Sequence, residues 1–322
     1  MSNLEANPEE LVCETDAEPG IQVLEPRQVP LGGPRAMDVR RTLPQRGRSL
    51  IGAWCFADHY GPDDVAETGG MVVPPHPHTG LQTVSWLFAG EIEHRDSSGA
   101  HAMVRPGELN LMTAGRGIQH SEVSTPAVRM LHGVQLWTAL PDASRHAIPF
   151  FEHYAPPVVE FPEGRISVFL GSLVGQQSPA TTFSPLVGAQ IDLRAGQSIA
   201  LPIEATFEHG VLVDAGDLTV EGVAVPVSHL AYLGPGHESV ELTAHTASRL
   251  ILIGGEPLGE QIVMWWNFIG RSHDEIIAFR ARWQSEVVGG GTDAGHFGVV
   301  RGYDGAPLPA PAMPTVRLKP RG

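Results

Sequence analysis

Four side chains able to bind a metal occur as two pairs, each spaced by one residue. His76 and His78 lie in Pro75-His76-Pro77-His78, and His120 and Glu122 in His120-Ser121-Glu122. On a β-strand, residues i and i+2 point to the same face. Two such strands facing each other inside a barrel offer three imidazoles and one carboxylate to a single point. Three nitrogens and one oxygen suit a borderline divalent transition metal such as iron(II), and they leave positions open for substrate or dioxygen. One pair alone says little, because the chain has 15 histidines and such spacing arises by chance. The second pair follows the Gly-rich run Thr113-Ala114-Gly115-Arg116-Gly117-Ile118-Gln119, where glycines let backbone pass close to a site. Both clusters in one barrel favour a metal centre. Pro77 cannot donate to a sheet ladder, so it belongs at a strand start, where it stiffens the flanking histidines.

The elements that position these residues must be strands. The chain has 322 residues with 37 Gly, 28 Pro and many Val and Thr, a composition of turns and strands rather than helices. Its length allows one large or two ordinary domains. The net charge of −15 argues against nucleic-acid binding through phosphate contacts without a basic patch. Arg40-Arg41, Arg280, Arg282 and Lys319 to Arg321 are too scattered to form one. Two cysteines, Cys13 and Cys55, make no disulfide framework, which implies a reducing, cytoplasmic location. Cys55, in Ala53-Trp54-Cys55-Phe56, reads as a small buried hydrophobe. The N-terminus lacks the basic start and apolar stretch of a signal peptide. No apolar run is long enough for a membrane helix.

Residues 1–20 form an acidic, polar tail. Thr83–Phe88 and Glu91–Arg95 read as strands, with Asp96-Ser97-Ser98-Gly99 as a turn signal, followed by strands at 109–112 and 134–139. The pattern then returns. Val211 to Asp217 echoes Val84 to Glu91 when Gly216 is set on Gly90, and Leu250 to Pro257 echoes Leu136 to Pro141. Two similar all-β units imply a duplicated barrel or sandwich, with domains at 21–160 and 161–288. One helix is expected over 272–284. Ser272 and Glu275 form its capping box, and Ile276, Phe279 and Trp283 form an apolar stripe. The tail, 289–322, is rich in Gly and Pro and should lie extended over the surface.

Three segments together carry a family resemblance. They are His-Pro-His-Thr-Gly-Leu-Gln-Thr-Val-Ser-Trp-Leu, Gly-Glu-Ile-Glu-His-Arg-Asp-Ser, and Pro-Gly-Glu-Leu-Asn-Leu-Met-Thr-Ala-Gly-Arg-Gly-Ile-Gln-His-Ser-Glu. From about residue 25 to 260 the chain resembles the pirin family of bicupins. The resemblance implies an all-β fold of two cupin barrels (double-stranded β-helix, or jelly-roll) in tandem, with metal only in the N-terminal one. It implies His76, His78, His120 and Glu122 as ligands of one divalent ion, usually iron, for which copper, manganese, nickel or zinc can substitute. Some pirins show quercetin 2,3-dioxygenase activity, and the family also includes an iron-dependent nuclear cofactor of transcription factors. The chain departs from the family at Gln82, where a glutamate is usual. Gln82 removes a negative charge and a candidate base from the expected pocket. By the repeat alignment, Pro202, Glu204, Glu241 and Thr243 occupy the ligand positions of the second barrel, and none is an imidazole.

Other residues have competing readings. His94 and Asp96 at the expected barrel mouth could steer substrate or be a plain hairpin pair. Arg116 could bind an anionic substrate, although fixing its loop through a carboxylate is favoured. His132 reads as a satisfied histidine, and Trp265-Trp266 as packing for the capped helix rather than a stacking platform. Three functions follow. The first is a metal-dependent dioxygenase acting with dioxygen on a flavonol-like molecule, Glu122 taking the hydroxyl proton. The second is a non-enzymatic, redox-sensitive regulator acting through protein partners, and the third a bicupin whose metal only stiffens the barrel. Open coordination positions argue against the third, since structural metal sites are usually closed.

Overall fold

The computed structural model describes residues 20–31, 37–125, 128–290 and 295–322. Cys13, the rest of the acidic tail through residue 19, and Gly291 lie outside the described residues. Among the described residues, no helix is long and apolar enough to cross a membrane.

Each half of the chain closes a seven-stranded sheet over a four-stranded one. In the first barrel the large sheet runs in the order Phe150–Tyr154, Leu109–Thr113, Leu81–Ala89, Met130–Ala139, Trp54–Asp64, Met37–Leu43 and Arg27–Leu31. Its small sheet runs Val72–His78, Ile118–Ser124, Ile92–Asp96 and His101–Val104. The second barrel repeats this plan, and its central strands Glu208–Ala215, Ser248–Gly255 and Leu186–Leu193 are paired antiparallel. Gly90 and Gly216, matched in the repeat, both adopt positive φ, 100° and 93°. Both precede the strand that opens the next hairpin, where left-handed backbone suits glycine.

Alternation along the strands of the large sheet divides two environments. Val84, Trp86, Leu111, Val134 and Leu136 pack with Phe169, Leu212 and Ile251 of the second barrel, so one face is the barrel–barrel interface. Phe56, Met112 and Trp137 face the interior of the first barrel. The second barrel's interior is aliphatic, with Leu201, Val213, Val240, Leu242 and Ala244 among its residues. There Glu241 is exposed and Thr243 half-buried.

Three sequence expectations are revised. Gln22–Leu24 does not join the first barrel: it pairs with Leu230–Leu233 at the edge of the second barrel's large sheet. Pro77 lies near the end of its strand, not the start. The strand Val72–His78 is an edge strand, where a missing N–H donor costs no ladder bond. The tail is more than a surface wrap. Leu308 N donates to Pro75 O at 2.8 Å, and Phe297 and Ala310 are buried with Trp265, Trp266, Ile276 and Trp283. The tail thus covers the open edge of the strand that carries His76 and His78, which would otherwise invite pairing by another chain.

The capped helix spans His273–Trp283. Ser272 Oγ accepts from Glu275 N, and Glu275 reaches back to Arg271 N. Ile276 and Trp283 are buried and Phe279 is packed beside them. The helix passes into one π-helical stretch, Gln284–Val288.

Candidate metal centre

The ligand strands are neighbours in the small sheet, with His76 directly opposite His120 and Ile118 opposite His78. Beyond His120 the register shifts, so Glu122 stands opposite Val73. The extra length falls on Pro74-Pro75, as expected where prolines interrupt a ladder. This brings the donor atoms of His76, His78 and His120 within 4.8 Å of one another. Glu122 lies within the same distance of His120 and His94. All five residues are buried, the four expected ligands completely.

Hydrogen bonds aim the ring nitrogens. His76 Nδ1 donates to Pro74 O at 2.8 Å, and its Nε2 has no partner among the described residues. His94 Nε2 donates to Asp96 Oδ2 at 3.2 Å. His94 Nδ1 is then an acceptor for His120 Nδ1–H, 3.3 Å away, and the lone pair of His120 falls on Nε2. That atom faces His78 Nε2 at 3.1 Å. Asp96 is itself fixed, because its Oδ1 accepts from Ser98 N, Ser98 Oγ and Ala100 N in the hairpin turn. Burial pushes His76 down to about 3 and holds His78 and His120 well below the ordinary histidine value. Neutral imidazoles with converging lone pairs repel one another unless a cation lies between them. The donor set therefore fits a divalent metal, with a carboxylate–imidazole chain behind His120.

The same groups set a pH dependence. Their folded pKa lies below the value near 6.5 of an unfolded chain, so the unfolded state takes up protons first as pH falls. Stability of the metal-free protein is full above about pH 6.5 and is lost as the pH falls from there toward the folded values. Denaturation midpoints in chelator between pH 7.5 and pH 5 check this, and a flat profile would contradict it.

Of the other candidate residues, His94 is drawn into the site. It is not at a solvent-facing mouth but buried, stacked on Phe151 at 4.8 Å. We expect His94→Ala to weaken metal binding about 10–100-fold, measured by competition with a chromophoric chelator. Unchanged affinity would show that the Asp96–His94–His120 chain does not orient the ligand. Arg116 is exposed, and backbone bonds hold its loop: Arg116 N to Ala147 O, and His296 Nε2 to Arg116 O. Gly115, at φ 50°, lets the Ala147 carbonyl approach, since a Cβ there would meet that oxygen at 2.0 Å. The Gly-rich run thus serves loop and tail packing.

Gln82 is buried but shares the face of Val84 and Trp86, toward the second barrel. Its Nε2 donates to Thr113 Oγ1 at 2.9 Å and to Thr181 O at 3.0 Å, and its Oε1 accepts from Thr138 Oγ1. It therefore does not stand in for a base in the barrel interior. Gln82→Glu would set a carboxylate against the Thr181 carbonyl, so we expect a loss of about 1–3 kcal/mol and no gain in turnover. A thermal melt of the variant reads the loss directly.

Sequence reasoning missed a second cluster. His59 Nε2 and His132 Nε2 both donate to Asp214 Oδ1 at 2.7 Å, and Arg249 Nε donates to Asp214 Oδ2 at 2.6 Å. His132 is thus a satisfied histidine, but satisfied across the barrel interface. No local spacing signals this, since Asp214 is far away in the chain.

Two tandem double-stranded β-helix barrels, the first with clustered imidazoles and a carboxylate in its interior, define a bicupin. Residues 36–138 match the Pirin family and 188–289 the Pirin C-terminal cupin domain; the chain belongs to the pirin family. It is 41% identical over 296 residues to a Pseudomonas aeruginosa protein named, provisionally, for quercetin 2,3-dioxygenase, covering 91% of each chain. The crystal structure of a quercetin 2,3-dioxygenase from Acinetobacter baumannii superposes with a TM-score of 0.86 at 37% identity, covering 92% of this chain and 97% of that one. A bacterial pirin of Escherichia coli, solved in complex with nickel(II), shares the fold with a TM-score of 0.59 at 20% identity, over 74% of this chain and all of that one.

Proposed function

We propose that this protein is a metal-dependent dioxygenase of quercetin 2,3-dioxygenase type, acting with dioxygen on a flavonol-like small molecule. The observation that carries the reading is the convergence of neutral His76, His78 and His120 beside Glu122 in a closed barrel. The names of the relatives supply the reaction class. His76, His78, His120 and Glu122 would hold one divalent ion, iron(II) in our assignment. When bound, that ion supplies Lewis acidity and an electron relay for dioxygen chemistry. The chain does the rest. Pro74 and the Asp96–His94 pair keep the imidazoles in the ligating tautomer. The closed interior excludes bulk water, and Glu122 is placed to accept the proton of a substrate hydroxyl. A reducing, cytoplasmic setting fits Cys55, a buried free thiol.

The regulatory reading has one observation in its favour. The tail bonds to Pro75 O, one residue before a proposed ligand, so a change at the centre would be passed to the tail. Oxygen uptake with quercetin by iron(II)-loaded protein separates the two. Equimolar loss of quercetin and dioxygen supports the enzyme. No uptake over a broad flavonol panel at full metal loading overturns it in favour of the regulator.

A further inference from the structure

The inner face of the first barrel's large sheet carries a continuous row of polar side chains. Asn110 is opposite Ser85, Ser85 opposite Gln135, Gln135 opposite Asp58, and Asp58 opposite Arg41. Directly opposed residues share a face, so the row crosses five adjacent strands. All five side chains are at least nine-tenths buried. The second barrel has the same five strands in the same order. There the matching row is Ala231, Val211, Leu252, Ala189 and Val168, all packed in its aliphatic core. The fold itself therefore does not require polarity at these positions; only the barrel with the metal-type cluster has it.

The row faces that cluster. Two residues from Gln135, the Trp137 ring lies 5.0 Å from the His78 ring. On the other side of the row stands Tyr60, which feels the charge of Glu122. Part of the row is internally satisfied. Arg41 and Asp58 form a two-pronged ion pair at 2.7 and 2.8 Å, and Ser85 Oγ donates to Gln135 Oε1 at 2.8 Å. Asn110 Oδ1 accepts from His153 Nδ1. Four buried donors have no partner among the described residues: Asn110 Nδ2, Gln135 Nε2, Tyr60 Oη and Trp137 Nε1. Buried polar groups are rarely left so, and four on one wall call for acceptors supplied from elsewhere.

We infer that this row is the substrate-binding wall of the barrel, and that Gln135, Asn110 and Tyr60 hold acceptor oxygens of the substrate. The inference rests on the dioxygenase reading and adds the part of the substrate that lies away from the metal. A purely aliphatic substrate would leave the four donors unpaired.

The test is anaerobic binding of quercetin to the metal-loaded protein, with unsubstituted flavone as the oxygen-poor control. Gln135→Met keeps the length of the side chain, and Tyr60→Phe removes a single oxygen. Both should keep stoichiometric metal. Quercetin should bind about tenfold more weakly to each, which is about 1.4 kcal/mol, while flavone binds wild type and variants alike. Wild-type binding with no loss in either variant overturns the inference and leaves the dioxygenase reading standing. Equal losses for quercetin and flavone also overturn it, since the row would then be only packing. If metal-loaded wild type binds no flavonol, the dioxygenase reading falls and takes the inference with it.

Discussion

His78→Ala and His120→Ala will each leave the purified protein without stoichiometric metal. The two Nε2 atoms face each other at 3.1 Å in an interior closed to solvent. On the proposed assignment, removing either ring takes away a direct ligand from the group of three imidazoles. Loss of an outer partner costs about 10–100-fold in affinity, and loss of a ligand must exceed that. Elemental analysis of protein purified with iron(II) or zinc is the measurement, and oxygen uptake with quercetin should vanish in parallel. A full equivalent of metal in either variant would show that the ion is held elsewhere. The His59, His132 and Asp214 group would then be the first place to look. Metal loss with undiminished uptake would separate the activity from this site.

The second large effect is on stability. Asp214→Ala should cost about 3–5 kcal/mol, the usual consequence of removing one partner from a buried charge pair. The Asp214 carboxylate is fully enclosed and takes bonds from His59, His132 and Arg249. Burial alone would raise its pKa, but the hydrogen bonds from His132 and His59 and the Arg249 charge hold it below the usual carboxylate range. Without it, a guanidinium packed over Phe88 at 4.2 Å loses its Asp214 counter-charge, and two imidazoles 3.3 Å apart lose their common acceptor. His59 and His132 belong to the first barrel and Asp214 and Arg249 to the second. The loss should therefore fall on the interface and appear as a lower urea midpoint for the whole protein. A shift under about 1 kcal/mol would mean that solvent already screens the cluster, as it does exposed pairs.

Much of this molecule is local, and that part is legible without coordinates. The spacing of His76 with His78 and of His120 with Glu122 is a statement about strand period, and the barrel does bring the three imidazoles together. Ser272 and Glu275 announce a helix start through groups only a few residues apart, and the helix begins where they place it. Gly90 and Gly216 mark the repeat because a left-handed turn residue is costly for any side chain.

What tertiary structure alone decided is which face, which partner and which register. Gln82 is four residues from His78, yet strand alternation turns it toward the second barrel and Thr181. His94 and Asp96 look like any hairpin pair until the pairing of Ile92–Asp96 with Ile118–Ser124 sets His94 opposite Glu122 and within reach of His120. Asn110, Ser85, Gln135, Asp58 and Arg41 are isolated polar residues in apolar strands, and only cross-strand register makes them one row. Gln22–Leu24 crosses to the other barrel, and Asp214 joins His132 and His59, the latter 155 residues away in sequence. A strand's own sequence encodes its period and its ends. Its neighbours are chosen by sheet closure and by the burial of apolar faces between distant segments, so the histidine cluster could be read from the chain while the polar row, the chain of bonds behind His120 and the clasp between barrels could not.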